Sequence, residues 1–174
     1  LFGDASLPRK EHSGGMASTT RAIAAGGQVG STEYDTMEYF TFSTKGKATD
    51  FGNLSAARYR NTSTSNSTRG MIAGGQNASD TNVDIIEYIT IGSTGNATDF
   101  GNLNQTPLGP ASLNSTTRTV IAAGRDSSYN QLNVIDYVTT ASTGDATDFG
   151  DLTLGRSFVI GGGSNTRGLF AGPR

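Results

Sequence analysis

Apolar residues in this chain come in short runs broken by clusters of Gly, Ser, Thr and Asn, and within the runs they alternate rather than recur at helical spacing. Residues 83–91, VDIIEYITI, carry the pattern most clearly. A period of two puts Val83, Ile85, Glu87, Ile89 and Ile91 on one face and Ile86 and Tyr88 on the other. Apolar side chains on both faces predict a strand covered on both sides. Upstream, residues 57–65 (ARYRNTSTS) read as a mostly polar strand, and GMIAGG at 70–75 as a strand of small apolar residues ending at two glycines. Downstream, a Ser-Thr-Gly turn at 93–95 leads into GNATDFGNL, residues 95–103, as a further strand.

This four-strand group recurs. Phe2, Phe51, Phe100 and Phe149 are each 49 residues apart, and each precedes Gly and then Asp or Asn. Arg21, Arg69, Arg118 and Arg167 each follow a Thr and introduce the small apolar strand. Glu38 with Tyr39, Glu87 with Tyr88, and Asp136 with Tyr137 stand at a fixed distance before the Phe. A period of this length predicts a repeat architecture, and four short strands per repeat predict the blade of a β-propeller. The size gradient agrees: small residues suit a strand near an axis where blades converge, Ser and Thr suit the innermost strand facing a wet channel, and Ile, Tyr and Phe suit the widening gap between blades. The expected fold is all-β, a propeller of four-stranded blades with about 3.5 blades of 49 residues. It forms one region, 1–174, with a partial blade at 1–6, full blades at 7–54, 55–103 and 104–152, and a partial blade at 153–174. The ends predict either a part of a longer chain, a ring completed by other copies in a homo-oligomer, or four unequal blades.

The order Gly74 and Gly75, then Glu87 and Tyr88, then Phe100 and Leu103, with Phe51, Leu54 and Arg58 in the preceding copy, resembles that of kelch repeats. It departs in having Phe where that family usually has Trp, and Pro107 in place of the Arg in the third copy. The wording of the repeats, TRG, AGG and ATDFG among them, is also similar to repeats in structural proteins of marine bacteriophages, along the whole chain. The resemblance implies a non-enzymatic virion protein, a capsid-decoration or tail-fibre module on the virion surface or otherwise extracellular. Its partners would be other virion proteins or a host-surface receptor or glycan. Kelch-like propellers also scaffold carbohydrate-binding and carbohydrate-active domains and cellular protein-interaction modules, and both stand as alternatives.

Composition narrows the chemistry. Charged residues are 16% of the chain and the formal net charge is −2, with no Lys/Arg cluster, so no field is predicted that would draw in nucleic acid. No stretch approaches the roughly 20 apolar residues of a membrane-spanning helix, so membrane insertion is not expected. Without cysteine there is no disulfide, thiolate nucleophile or Cys-based metal site. The one histidine, His12, has no metal-ligand partner at a recognisable spacing. No cofactor, metal or catalytic residue is predicted. GGGS at 161–164 lacks the Lys of a phosphate loop and reads as a strand end. Asn61, Asn66, Asn77 and Asn114 open Asn-x-Ser/Thr triplets, which so Ser/Thr-rich a chain contains by chance.

Two sets of residues remain. The repeated Arg21, Arg69, Arg118 and Arg167 could form a ring that binds an acidic sugar or partner. The structural alternative has each Arg hold its own blade, by bonding a backbone carbonyl or the repeated Asp50, Asp99 and Asp148, with Phe51, Phe100 and Phe149 filling the gaps; equal copies favour this. Loops at 28–36, 76–84 and 125–133 vary between copies, and variable loops on a rigid scaffold are where contacts are expected. Asp80, Asp126, Tyr129 and Asn130 are the candidate contact residues there.

Overall fold

A computed structural model describes residues 3–11 and 15–172. His12 and Phe2 lie outside the described residues. All regular structure described is strand: β1 (Met16–Ala17), β2 (Arg21–Ala25), β3 (Gln28–Val29), β4 (Thr32–Glu33), β5 (Thr36–Thr41), β6 (Thr49–Asn53), β7 (Arg58–Tyr59), β8 (Thr62–Ser65), β9 (Arg69–Ala73), β10 (Gln76–Asn77), β11 (Ile85–Thr90), β12 (Thr98–Asn102), β13 (Ala111–Asn114), β14 (Arg118–Ala122), β15 (Leu132–Thr139), β16 (Thr147–Arg156), β17 (Ile160–Gly163) and β18 (Gly168–Ala171). Three antiparallel four-stranded sheets follow one another in strict chain order, β1-β2-β5-β6, β8-β9-β11-β12 and β13-β14-β15-β16, and a β17-β18 hairpin follows them. GGGS thus belongs to the hairpin strand β17 and its turn. No helix of the described residues is long and apolar enough to cross a membrane.

Residues 57–65, expected as one strand, are two. Arg60 has a φ of 52°, which breaks the extended backbone between β7 and β8, and β7 pairs with β10 outside the main sheet. The sheets meet in a fixed way. First strands touch: Ala17 N–H donates to Ser65 Oγ at 2.9 Å, and the hydroxyls of Thr62 and Ser112 lie 2.8 Å apart. Contrary to the expectation of a wetted inner strand, Thr62 and Ser63 are buried, because neighbouring first strands cover them. At the outer edge, the last strand of one sheet bonds to the turn of the next. Gly95 N–H donates to Phe51 O and Gly144 N–H to Phe100 O, both at 2.7 Å.

Apolar packing lies between sheets. Phe51 and Leu54 of the first sheet pack with Ile72, Ile89 and Ile91 of the second, while Phe100 and Leu103 pack with Ile121, Val138 and Ala146 of the third. The two faces of β11 point as its alternation predicts: Ile89 and Ile91 to the preceding sheet, Ile86 and Tyr88 to the following one. Gly101 serves close approach, since a Cβ there would overlap the carbonyl oxygen of Gly144, and Gly52 stands likewise against Gly95.

Candidate functional site

Each sheet carries an aromatic column topped by a guanidinium. Arg21 sits 4.6 Å from the Tyr39 ring centre, Arg69 4.3 Å from Tyr88 and Arg118 4.7 Å from Tyr137. Each Tyr in turn meets Phe51, Phe100 or Phe149 edge to face, with centroids 5.8–6.1 Å apart. The arginines bond carbonyls, as one alternative expected, but across the boundary to the next sheet. Arg21 donates to Ile91 O at 3.3 Å and Arg69 to Thr140 O at 2.6 Å. No Arg bond to Asp50, Asp99 or Asp148 is found among the described residues; Asp148 instead accepts the Gly150 N–H at 2.9 Å. Arg167 lies with Arg118 and Phe149 along an open groove between the third sheet and the hairpin.

The acidic residues before the tyrosines form a second set of ties. Glu38 accepts from Ser6 and pairs with Arg9; Glu87 accepts from Ser55 N–H at 2.8 Å and pairs with Arg58. Asp136 accepts from Asn104 N–H at 3.0 Å and from its side-chain amide at 2.6 Å. The third unit, with Pro107 in the arginine position, thus replaces an ion pair by a neutral amide. Burial pushes the Arg58 guanidinium down, and the charge of Glu87 beside it pulls the other way. For Glu38 burial pushes the carboxyl up, but the bonds from Ser6 and the charge of Arg9 outweigh it and leave it below its ordinary value.

The candidate contact residues come together in pairs by position. Asp126 accepts N–H bonds from Ser128 and Asn130 at 2.8 Å and a bond from the Asn130 side chain at 2.9 Å, and these hold its carboxyl below the usual range. Asp126 and Asn130 thereby fold their own loop. Asn77 does the same in the second unit, accepting from Ser79 and Thr81 at 3.0 and 3.1 Å. Asp80 and Tyr129 occupy the same left-handed turn position, with φ of 55° and 63°. Tyr129 is 66% exposed, and Asp80 and Asn130 are exposed as well.

Sequence reasoning missed the two ends of the row of first strands, which touch from sheet to sheet. At one end, the turns 18–20, 66–68 and 115–117, together with Asn165, enclose an open polar cavity of about 550 Å³. The turns bind themselves: Ser18, Asn66 and Ser115 each accept N–H bonds from residues two and three positions on. At the other end Glu11, Arg60, Gly109 and Phe158 stand at one repeat position, all left-handed with φ of 53°, 52°, 64° and 55°. They surround a cavity of about 330 Å³ together with Asn61, Pro110 and Val159. Backbone bonds tie part of this ring, Arg60 N–H to Glu11 O and Gly109 N–H to Arg60 O, each at 2.8 Å. The 49-residue spacing could have marked this position, but four unlike residue types conceal it.

No family model matches the chain, and no curated protein matches it. The geometry itself must therefore carry the functional reading. Among the described residues no three His, Cys, Asp or Glu side chains gather as metal ligands would.

Proposed function

We propose that this chain is a kelch-like β-propeller module of a virus particle, a non-enzymatic decoration or fibre component that displays contact loops on a rigid scaffold. One observation supports it most: the same kind of sheet-to-sheet packing, Phe beneath the next sheet and Gly against its turn, recurs from sheet to sheet. Phe51 and Phe100 are each 2% exposed beneath the next sheet, whereas Phe149 is 56% exposed. A Cβ on Gly52 or Gly101 would strike the following turn, while Gly150 has nothing within 4 Å. Arg156, which corresponds to Arg9 and Arg58, reaches Gly172 O at 2.8 Å, as Arg9 reaches Gly26 O at 3.1 Å. In this reading Arg156 still awaits the carboxylate that Glu38 and Glu87 supply in their units. A surface of this kind is completed by more of the same repeat, whether from the same polypeptide or from another copy.

The experiment is light scattering on the purified chain together with negative-stain images, and antibody labelling of intact particles with serum against residues 125–133. Ring-shaped assemblies of bladed units and labelled particle surfaces are expected. A stable monomer with Phe149 in water, combined with unlabelled particles, would overturn the reading.

A further inference from the structure

In each four-stranded sheet the second strand lies between the first and the third. Among the described residues β18 has only one neighbour, β17. Yet the register between them, Ile160 opposite Ala171 and Gly163 opposite Gly168, repeats that of β13 with β14 and of β8 with β9. The outer edge of β18 therefore stands where β2, β9 and β14 each bond a third strand, and its unpaired backbone groups are a template for one. All three third strands use one register: Thr faces the Arg, Tyr faces the residue two places after it, and the acid faces the next. On β18 and the residue before it these places are Arg167, Leu169 and Phe170.

Four side chains around this edge lack what their counterparts have. Arg156 finds no carboxylate among the described residues, whereas Arg9 pairs with Glu38 and Arg58 with Glu87. Its bond to Gly172 O at 2.8 Å holds it beside the end of β18. Arg167 meets no ring among the described residues, whereas Arg21, Arg69 and Arg118 each lie within 4.7 Å of a Tyr ring centre. Arg118 reaches no carbonyl among the described residues, whereas Arg21 and Arg69 reach the one just past the Thr of the next third strand. Phe149, 56% exposed, lines with Arg118, Arg167 and Gly168 an open groove of about 430 Å³. Its counterparts Phe51 and Phe100 are covered by Ile89 and Val138, the residues between Tyr and Thr.

We propose that the open edge of β18 takes up one extended strand, antiparallel to it, that reads apolar, acidic, Tyr, apolar, Thr in chain order. The carboxylate pairs with Arg156, the Tyr ring lies under Arg167, the second apolar side chain closes over Phe149, and the carbonyl past the Thr accepts from Arg118. Four requirements set at positions 118, 149, 156 and 167 converge on one short segment. That convergence selects a strand of the repeat's own third-strand pattern over an arbitrary apolar surface. The inference rests on the reading above, that this surface is completed by more of the same repeat, and it adds the segment and the register.

The test titrates the full chain, isotope-labelled, with a synthetic peptide VDIIEYITIG, residues 83–92 of this sequence, and with a scrambled peptide of the same composition. With the first, saturable shifts at Phe149, Arg156 and the β18 amides are expected, together with slower hydrogen exchange along β18; with the second, none. A Glu87→Gln peptide should bind about tenfold more weakly. Arg156→Glu in the chain should lose the parent peptide and regain a Glu87→Lys peptide. Arg167→Ala, at an exposed residue and so without cost to the fold, should weaken the parent peptide but not a Tyr88→Ala peptide. Several outcomes would overturn the proposal: no saturable binding, equal binding of the scrambled peptide, or full affinity of the Glu87→Gln peptide. Shifts at β9 in place of β18 would do so by showing exchange for β11. Shifts at β18 that grow with protein concentration and resist the peptide would do so by showing a second copy seated there. Particle labelling is read without the peptide, so failed binding leaves the virion reading standing, and unlabelled particles leave the strand site standing.

Discussion

Gly52, Gly101 and Gly150 offer an internal control that separates the cost of a backbone conformation from the cost of an interface. Their φ values are 140°, 144° and 130°, so alanine at each meets a comparable backbone penalty of about 1–3 kcal/mol. At Gly101 the new methyl also strikes the carbonyl of Gly144. The third sheet must then move away, stretching the bonds from Gly144 to Phe100 and from Ala146 to Asn102, 2.7 and 2.8 Å long. Two hydrogen bonds at about 1 kcal/mol each, and loosened packing of Phe100 on Ile121 and Val138 worth about as much again, make Gly101→Ala worse than Gly150→Ala by about 2–4 kcal/mol. For a chain of this size that is a gap of roughly 5–15 °C in melting temperature. Urea denaturation followed by circular dichroism, with thermal melts beside it, measures the difference. Equal destabilisation of the two variants would refute the reasoning, since it would mean that the interface contributes nothing beyond backbone strain. The assembly reading adds a second expectation: Gly150→Ala should weaken oligomers seen by light scattering more than it weakens the folded chain.

The buried pair of Arg58 and Glu87 is expected to fail when halved: Glu87→Gln leaves an unpaired guanidinium inside and costs about 3–5 kcal/mol in urea denaturation, while Arg58→Met with Glu87→Leu costs less than either single change. Glu38 has a folded-state pKa below its ordinary 4.5, so its stabilisation is present above that value and is lost as pH falls through the lower, folded-state value. Denaturation midpoints measured from pH 6 down to pH 3 should therefore fall less steeply for Glu38→Gln than for the parent. Tyr129→Asn should gain about 1 kcal/mol, read as a higher melting temperature, because Asn tolerates the left-handed turn that the largely exposed Tyr129 occupies. Asp126→Ala should speed hydrogen exchange at the Ser128 and Asn130 amides while leaving the melting temperature of the whole chain in place.

Much of the scaffold was legible because strand alternation and the 49-residue period act locally or repeat. The opposite faces of Ile86 and Ile89, the gap-filling role of Phe100 and the close approach at Gly101 all follow from pattern. What was hidden depends on where the sheets place residues far apart in sequence. A period can mark Arg21 and Arg69 as equivalent, yet nothing in it says that each reaches past its own sheet to a carbonyl about seventy residues on. Arg58 and Glu87 were each noted as landmarks, but their pairing requires the β7 backbone to lie beside β11. Asn104 replaces an arginine from a different sequence position, which alignment by register passes over. The ring of Glu11, Arg60, Gly109 and Phe158 was invisible for the opposite reason: geometry is shared there and chemistry is not.

The placement of the apolar packing has a consequence for how the chain can come apart. Met16, Ile23 and Phe51 of the first sheet share one cluster with Ile72 and Ile89 of the second, and Met71, Ile86 and Phe100 of the second share another with Ile121 and Val138 of the third. A single repeat cut out of this chain has two surfaces and no interior, so its sequence is a set of instructions for a neighbour. Two adjacent repeats are the least that encloses one of these clusters, and a fault in one repeat is felt by each repeat that packs on it.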